Sequence, residues 1–427
     1  MKTEDVTSTK SPWTFIPTLY FAEGVPYIII NTVSVIIYKN MGISNALIAF
    51  WTSLLYLPWV IKMFWGPLVD IYSTKRNWIL YTQIGLMVCF AIAAWSLQLP
   101  IFFFLSLGIF TVGAFISASH DIAADGFYML ALTPEQQAQF VGIRSVFYRM
   151  AVIFGSGFLV YFAGQLEQTL GNIPLSWTIA LAVAASIFAG LSFYHHLILP
   201  FPDSDAPSEV EEVRNEIPFV KIARSYFLKP GIAFILAYIL LYRFGEAMLV
   251  KLASPFLLDE MAKGGLGLTT SDVGLVYGTF GVLSLIVGGI LGGLIIAKYG
   301  LKKCIFPMAL ALNVPNLLYV YMAYTQPSIK WVYPLVSIEQ FGYGLGFTAF
   351  MVYLMQISQG EYKTSHYAIS TGIMALGMML PGAVSGYLQQ SLNYPMFFLT
   401  VCLLTIPGMV TIFFLPLDAE QKSANTD

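Results

Sequence analysis

Residues 66–76 read Gly66-Pro67-Leu68-Val69-Asp70-Ile71-Tyr72-Ser73-Thr74-Lys75-Arg76. A degraded copy later in the chain reads Gly293-Leu294-Ile295-Ile296-Ala297-Lys298-Tyr299-Gly300-Leu301-Lys302-Lys303. Each copy ends an apolar run, passes through a short basic turn and opens the next apolar run. The repeat predicts two related halves. In the second copy Ala297 stands where the first has Asp70, so only the basic turn is kept there.

The composition indicates a membrane protein. Of the 427 residues, 57% are hydrophobic and only 10% are charged, and the mean hydropathy is +0.73. Soluble domains carry about 25% charged residues, so we expect lipid to cover most of the surface. Three scattered cysteines predict no disulfide framework. The first apolar run is too long for a signal-peptide core, which favours an uncleaved first helix.

Twelve stretches are apolar over about 20 residues, the length that a membrane-spanning helix needs. They are residues 13–38, 46–70, 78–98, 101–130, 138–164, 175–199, 230–258, 271–297, 304–324, 331–358, 366–390 and 394–415. The sequence therefore predicts an all-α membrane protein with twelve transmembrane helices.

The longest polar interruption divides these helices into two sets of six. We predict an N-terminal half over residues 13–199 and a C-terminal half over residues 230–415, joined by a cytoplasmic linker at 200–229. Residues 1–12 and 416–427 form the predicted cytoplasmic tails.

The distribution of positive charge predicts the orientation, because cytoplasmic loops are enriched in Lys and Arg. With the N-terminus inside, thirteen cations lie in cytoplasmic segments: Lys2, Lys10, Lys75, Arg76, Arg214, Lys221, Arg224, Lys229, Lys298, Lys302, Lys303, Lys363 and Lys422. Three lie in outer loops: Lys39, Lys263 and Lys330. Both termini are therefore predicted to be cytoplasmic.

The repeated motif resembles the cytoplasmic loop between helices 2 and 3 of the major facilitator superfamily. That resemblance implies two six-helix halves with pseudo-two-fold symmetry, which alternate access to a central cavity lined by helices 1, 4, 7 and 10. Predicted helices 1, 7 and 10 each carry a carboxylate with aromatic neighbours at helical spacing: Glu23, Glu246 and Glu339. An ionisable group inside a span costs at least about 2.5–3.5 kcal/mol, so it marks a partner or a pathway.

These charges and their neighbours give a candidate site. The candidates for proton coupling are Glu23, Asp121, Glu246 and Glu339. The candidates for contact with a polar substrate are Tyr20, Tyr27, Arg149, Tyr242, Arg243, Lys251 and Tyr343. In the alternative interpretation the tyrosines are ordinary packing residues and the acids form structural pairs with Arg149, Arg243 or Lys251.

A cytoplasmic gate is predicted at the end of helix 4. Asp121 and Asp125 are four residues apart and share a helical face. Helix 5 runs antiparallel and brings Arg144 to a similar depth. The predicted gate comprises Asp70, Lys75, Arg76, Asp121, Asp125 and Arg144. The alternative is a permanent structural clamp. His120 is expected to be packed or hydrogen-bonded, and His195 and His196 are expected at the membrane interface.

Several enzymatic signatures are absent from the sequence. It contains no phosphate-binding G-x-x-x-x-G-K-[ST] motif, no zinc-type His/Cys spacing and no G-x-S-x-G nucleophile motif. We therefore expect no enzyme activity, no cofactor and no metal, and transport energy from a gradient. The expected partners are a small-molecule substrate, protons and the lipid bilayer, without nucleic acid or an obligate protein partner.

Motifs along nearly the whole chain resemble the muropeptide permeases of the AmpG type and, more distantly, acetyl-coenzyme A transporters. The matching segments are FAEGVP (21–26), KMFWGPLVD (62–70), SASHDIAADG (117–126), YR (148–149), LLYRFGE (240–246), DVGLVYGTFG (272–281), Glu339 with GYGLG (342–346), and TSHYA (364–368).

This resemblance implies proton-coupled import of anhydro-muropeptides or related amino sugars through a Gram-negative inner membrane, as in peptidoglycan recycling. The tyrosines would contact sugar faces, and Arg149, Arg243 and Lys251 would bind carboxylates. Acetyl-coenzyme A or another anionic metabolite is the alternative cargo. Drug efflux, a transport-inactive receptor and a membrane-embedded acyltransferase are further alternatives.

Overall fold

The computed structural model describes residues 10–66, 69, 72–202, 205, 219–360 and 362–417. Asp70 of the predicted gate lies outside these residues, as do part of the predicted linker and most of both tails. Over the described ranges the structure is all-α and contains no strand.

Ten helices of the described chain are long and apolar enough to cross a membrane, and one further apolar helix is shorter. In chain order they are α1 (Pro12–Asn40), α2 (Asn45–Ile61, the shorter one), α3 (Lys75–Ser96), α4 (Phe102–Ala131), α5 (Pro134–Leu170), α6 (Ile173–Ile198), α7 (Ile232–Leu258), α8 (Thr270–Tyr299), α9 (Leu301–Thr325), α10 (Ile329–Ile357) and a last helix, Ser365–Phe414. The last helix divides at Asn393, whose φ of 59° is not helical, into α11 (365–392) and α12 (394–414). Eleven of the twelve predicted apolar segments lie within the described residues, and the second, 46–70, is described only over 46–66 and at 69.

Local sequence sets where several helices begin. Thr133 caps α5: its hydroxyl accepts from the amide of Gln136, and the Gln136 side chain accepts from the amide of Thr133. Thr269 and Asp272 form the same reciprocal cap on α8. Such caps satisfy amides that have no partner within the helix. Gly300, at φ 78°, makes the turn between α8 and α9 in a backbone region that other residues rarely enter.

The chain divides into two compact units. Unit 1 comprises Met1–Ile30, Ile61–Gly155 and Leu170–Ile217. Unit 2 comprises Asn31–Val60, Ser156–Thr169 and Pro218–Asp427. This division differs from the predicted halves, because one end of α1, most of α2 and one end of α5 belong to the same unit as α7 to α12.

Two of the crossings between units fall in irregular helical turns. Helices α1, α5 and α8 contain π-helical turns at Ile29–Val33, Ile153–Leu159 and Val276–Gly281. The chain leaves unit 1 inside the first two of these turns. Single π turns in helices are frequently found at functional positions.

Unit 1 has its own aromatic core. Phe15 of α1, Phe127 of α4 and Phe140 of α5 are buried in it, and the Phe15 and Phe127 rings pack edge to face at 5.9 Å. Outside this core many large apolar side chains are exposed, as lipid-facing residues are. Trp95 of α3 has 61% of its surface exposed.

Unit 2 has a second core between α7, α9 and α10. Tyr238, Tyr242, Phe350 and Tyr353 are fully buried in it. A short helix of the predicted linker, Phe219–Phe227, also belongs to this unit. Its Tyr226 hydroxyl lies 2.8 Å from Ser370 Oγ of α11 and so attaches the linker helix to the bundle.

Candidate functional site

The first group of charges lies in unit 1, around Asp125 of α4. Arg144 of α5 forms an ion pair with Asp125, with Nη2 3.0 Å from Oδ1. The Tyr20 hydroxyl of α1 donates to the same oxygen at 3.0 Å, and the Arg144 guanidinium lies over the Tyr20 ring at 4.5 Å. The predicted pairing of Asp125 with Arg144 is therefore present, and its role as a gate stays a prediction.

Asp121 is one turn from Asp125 on α4 and has a cation beside it that the sequence did not assign. Lys62 Nζ, at the end of α2, lies 3.7 Å from Asp121 Oδ2. Three residues later, the Trp65 indole donates to Ser119 Oγ at 3.1 Å. The end of α2 is thus attached to the acidic face of α4 by both an ion pair and a hydrogen bond.

Glu23 lies among these groups. It interacts electrostatically with Asp125 and Asp121 and with the cations Arg144 and Lys62. One of its oxygens, Oε2, is buried and has no hydrogen-bond partner in the described chain. Glu23 is therefore a buried acid of this group with one oxygen that no described residue hydrogen-bonds.

A buried polar chain runs beside this group through four helices. Gln83 of α3 lies 3.1 Å from His120 Nε2 of α4 and 3.0 Å from His195 Nδ1 of α6. His195 Nε2 in turn lies 2.9 Å from Thr18 Oγ1 of α1. His120 is hydrogen-bonded as expected. The His195 side chain is fully buried and that of His196 is exposed, and their position at the membrane interface stays a prediction.

The basic turn makes contacts that differ from the predicted gate. The amides of Lys75 and Arg76 donate to Asp205 at 2.6 and 2.9 Å. The Arg76 guanidinium donates to the carbonyls of His196 and Leu199. We therefore correct the assignment of Arg76: its partners are the unsatisfied carbonyls at the end of α6, not Asp121 or Asp125. The Lys75 side chain packs beside Gly126 of α4.

The second group of charges lies in unit 2, around Glu246 and Glu339. Both carboxylates are fully buried. Neither Glu246 oxygen has a hydrogen-bond partner in the described chain. Glu339 accepts one bond, from Gln340 Nε2 at 3.0 Å, and its Oε1 has none. Tyr277, in the π turn of α8, and Tyr319 of α9 interact electrostatically with both acids.

Arg243 stands at an interruption of α7 between Ile232–Leu241 and Phe244–Leu258. Its guanidinium hydrogen-bonds to the Tyr343 hydroxyl and lies over the Phe347 ring at 4.8 Å. It also interacts electrostatically with Glu246. Arg243, Glu246 and Tyr343 are thus brought together, as the sequence predicted for helices 7 and 10.

Two predicted substrate contacts are corrected. Tyr242 is fully buried, its hydroxyl donates to the Gly346 carbonyl at 3.1 Å, and its ring stacks on Phe350 at 5.1 Å. Tyr20 is 1% exposed, and its hydroxyl is bonded to Asp125. Both side chains already have a complete set of partners, so we remove them from the substrate-contacting set.

The remaining predicted contacts are Tyr27, Arg149 and Lys251. Tyr27 of α1 and Arg149 of α5 are half-buried in unit 1. Lys251 of α7 is 6% exposed, donates to Thr52 Oγ1 of α2 at 3.1 Å, and lies 5.3 Å from the Tyr56 ring. Lys251 is therefore held by α2, a contact that helix periodicity alone does not predict.

A polar cluster around Asp259, also in unit 2, was missed from sequence. Lys39 Nζ at the end of α1 lies 2.5 Å from Asp259 Oδ1. The Tyr394 hydroxyl donates to Asp259 Oδ2 at 2.7 Å. Asn45 Nδ2 of α2 lies 2.8 Å from the Tyr394 hydroxyl and 3.3 Å from Asp259 Oδ2. The cluster joins the ends of α1, α2, α7 and α12 within unit 2, at residues that the sequence places on the outer side.

A second contact on the predicted outer side joins α1, α5 and α8. Asn40 Nδ2 donates to Glu167 Oε1 at 2.9 Å, and Thr270 Oγ1 donates to Glu167 Oε2 at 2.5 Å. Further along the same helices, the backbones of Gly278 and Ser156 approach so closely that a Cβ at position 278 would meet the Ser156 carbonyl at 1.8 Å. The only sequence signal for these clusters was Lys39, one of three cations in the predicted outer loops.

The fold and its charged groups can now be compared with known proteins. A family model described as the Major Facilitator Superfamily matches residues 18–355 and 240–427. The anhydromuropeptide permease of Escherichia coli (strain K12) is 26% identical over 424 residues, which are 95% of this chain and 80% of the permease. The putative transporter AmpG 4 of Rickettsia conorii is 23% identical and covers 93% of this chain, which in turn covers 94% of that protein.

Solved structures agree in fold. A D-xylose–proton symporter gives a TM-score of 0.74 at 12% identity, covering 96% of this chain and 98% of that one. The nucleoside transporter NupG (D323A mutant) gives 0.67 at 16% identity, covering 93% and 97%. Together with the sequence relatives, these matches confirm the resemblance to muropeptide permeases that the motifs indicated. The apolar helices, the family match over most of the length and these relatives show that the chain belongs to the Major Facilitator Superfamily and is a multi-pass membrane transporter.

Proposed function

We propose that this protein is a proton-coupled importer of anhydro-muropeptides or related amino-sugar cell-wall fragments. It would act by alternating access in a bacterial inner membrane, with both termini in the cytoplasm. The named function of the E. coli relative, 26% identical over 95% of this chain, supports the cargo class. The excess of Lys and Arg in the predicted cytoplasmic segments supports the orientation.

The burial of Glu246 and Glu339 without ion pairs to described residues carries the proposal of proton coupling. A carboxylate removed from water without donors or a cation costs several kcal/mol. A bound proton removes that charge, and opening the site to water allows the proton to leave. Arg243, Tyr277, Tyr319 and Tyr343 are the charged and titratable neighbours that would influence this exchange.

In unit 1 the proposed proton-coupling acid is Glu23, and Asp121 is the neighbouring acid. Glu23 Oε2 has no hydrogen-bond partner in the described residues, and Asp121 lies by Lys62. Protonation of Glu23 would weaken its attraction to Arg144 and Lys62 and its repulsion from Asp125. We propose that these changes in attraction and repulsion, as Glu23 gains or loses a proton, loosen or tighten the contacts between α1, α4 and α5.

The cargo would be held by aromatic and cationic side chains. The proposed contacts are Tyr27, Arg149, Arg243, Lys251 and Tyr343. Sugar rings pack against aromatic faces, and arginine presents a planar fork to a carboxylate. The proposed cytoplasmic gate keeps Asp121, Asp125 and Arg144. It also retains Lys75, together with Asp70, which lies outside the described residues.

The test is uptake into proteoliposomes. Labelled N-acetylglucosaminyl-1,6-anhydro-N-acetylmuramic acid, with and without its peptide, is presented under an imposed pH gradient, acidic outside. We expect accumulation above the external concentration that collapses when a protonophore dissipates the gradient. Accumulation that does not depend on the pH gradient would reject proton coupling. Absence of uptake of both compounds, with uptake of acetyl-coenzyme A or another anionic metabolite, would reject the cargo class in favour of the alternative.

A further inference from the structure

Lys251 is a buried cation that has no anion beside it. Its side chain is 6% exposed, and it forms no ion pair with a described residue. Its one hydrogen bond is to the neutral hydroxyl of Thr52 at 3.1 Å. An ammonium group so placed is costly unless an anion neutralises it. Two of its three N–H groups remain available to a ligand.

A second hydrogen-bond donor, the Ser53 hydroxyl, lies near Lys251. The hydroxyl of Ser53 on α2 is fully buried and has no hydrogen-bond partner in the described chain. The neighbouring Thr52 differs, because its hydroxyl donates to the Ile48 carbonyl at 2.7 Å and accepts from Lys251. A buried hydroxyl left unpaired is costly, so Ser53 is available to donate to an acceptor on a ligand.

Gly382 of α11 shows that these two groups border one space. A Cβ placed at position 382 would lie 2.7 Å from Ser53 Oγ and 3.6 Å from Lys251 Cε. Any larger residue there would press on the hydroxyl and the lysine together. Glycine at this position therefore lets α11 approach Ser53 and Lys251 closely at the corner between α2, α7 and α11. All three residues belong to unit 2.

We propose that Lys251, Ser53 and Gly382 form a subsite for a single carboxylate of the cargo, with the Tyr56 ring beside it. This proposal rests on the proposed function, because the carboxylate would be that of the muramic acid unit or its peptide. A charge-assisted bond from the ammonium and one from the Ser53 hydroxyl satisfy both oxygens of such a group. The corner offers one ammonium and one hydroxyl, which suits one carboxylate better than a chain of phosphates.

Arg243 is less suited than Lys251 to binding the carboxylate of the cargo. Its guanidinium is already bonded to the Tyr343 hydroxyl and interacts electrostatically with Glu246. A carboxylate brought to Arg243 would meet the charge of Glu246, whereas Lys251 forms no ion pair with a carboxylate of the described residues. The subsite therefore gives the protein a way to prefer acidic amino sugars over neutral ones.

The experiment compares N-acetylglucosaminyl-1,6-anhydro-N-acetylmuramic acid with its carboxamide, which has the same shape but no charge. Uptake is measured as exchange at equal pH on both sides, so that the readout does not depend on proton coupling. A bond between a charged group and its partner is worth about 1.5–3 kcal/mol, so wild type should prefer the acid by roughly ten- to hundredfold. Lys251→Met should remove this preference by slowing exchange of the acid far more than that of the carboxamide.

Three further variants sharpen the test. Ser53→Ala should reduce the preference several-fold, and Gly382→Ala should reduce exchange of the acid by filling the corner. Lys263→Met is the matched control, because Lys263 is exposed and pairs with Glu260, so this variant should keep the full preference. Retained exchange of the carboxamide reports that each variant is folded and inserted.

The outcomes separate this inference from the proposed function. Equal exchange of acid and carboxamide by wild type, or a preference that survives in Lys251→Met, would overturn the subsite and leave the cargo class standing. Exchange of neither compound by wild type would overturn both. Loss of carboxamide and acid exchange together in Lys251→Met, with Ser53→Ala keeping the full preference, would also overturn the subsite.

Discussion

In unit 1 two ion pairs join acids of α4 to basic side chains. Arg144 meets Asp125 at 3.0 Å, and Lys62 meets Asp121 at 3.7 Å. In unit 2, Glu246, Glu339 and Lys251 are at most 6% exposed, and none forms an ion pair with a described residue. Paired charges hold helices in one arrangement and cost little while the pair is intact. Unpaired buried charges need a proton or a ligand, so we propose that the coupling and cargo chemistry lies chiefly in unit 2.

The largest expected effect tests that assignment directly. Glu246→Gln and Glu339→Gln should lose gradient-driven accumulation while keeping exchange of cargo at equal pH, because the amide cannot carry the proton. A gradient of one pH unit supplies about 1.4 kcal/mol for each coupled proton, which corresponds to roughly tenfold accumulation of cargo. This tenfold accumulation should be absent in the variants. Uptake into proteoliposomes with and without the gradient measures it.

The control for this prediction is Glu260→Gln, an exposed carboxylate that pairs with Lys263. It should behave as wild type. Full accumulation by both Glu246→Gln and Glu339→Gln would contradict the assignment of coupling to unit 2 and would direct attention to Glu23.

The next prediction concerns the polar cluster around Asp259 in unit 2. Asp259→Asn weakens the ion pair with Lys39 and the bond from Tyr394, and bonds to charged groups are worth about 1.5–3 kcal/mol. The outer ends of α1 and α2 should separate from α7 and α12 more often. Gln389 is buried beside this cluster, where its side chain accepts from Asn45 Nδ2 at 2.9 Å. We expect a membrane-impermeant maleimide to label a cysteine at position 389 about tenfold faster in Asp259→Asn than without that change.

The background for this measurement replaces Cys89, Cys304 and Cys402, so that only the introduced thiol reacts. Glu260→Gln, one residue away from Asp259, again serves as the control. An unchanged labelling rate in Asp259→Asn would show that the cluster around Asp259 does not hold these helix ends together.

A third prediction concerns the paired charges of unit 1. Asp125→Asn should slow uptake several-fold, because Arg144 loses its partner while Tyr20 keeps a neutral acceptor. Both charged side chains are partly exposed, so the loss of stability should be only about 1 kcal/mol. The double variant Asp125→Asn with Arg144→Gln should recover part of the rate. If the double variant is slower than either single one, the two residues act independently.

The smallest effect is one of stability, with opposite signs in the two units. Lys251→Met removes an unpaired buried cation and should raise the free energy of unfolding by about 1 kcal/mol or more. Arg144→Met removes a paired one and should lower it. Thermal unfolding of the purified variants measures both. A decrease in Lys251→Met would mean that its ammonium is better satisfied than its contacts with Thr52 and Tyr56 indicate.

Periodicity predicted correctly which residues share a helical face but not what each face meets. Glu246 and Arg243 were placed together on helix 7, and Asp125 was placed opposite Arg144. Tyr242 has the helical spacing expected of a residue that contacts cargo, yet its ring is in the core of unit 2. Arg76 has the position of a gate residue, yet it bonds to carbonyls at the end of α6. Helical periodicity gives the direction in which a side chain points around its own helix axis. It contains no information about which other helix packs against that face.

The sequence by itself determined the twelve apolar segments and the caps that begin several of them. Hydropathy and capping depend on residues within one helix, so they can be read locally. Tertiary structure decided which charges are paired. Lys251 and Thr52 are 199 positions apart, and Lys39 and Asp259 lie on different helices. Such partners are chosen by the packing of helices that are distant in the chain, and the burial that makes a lone charge costly exists only once those helices have packed.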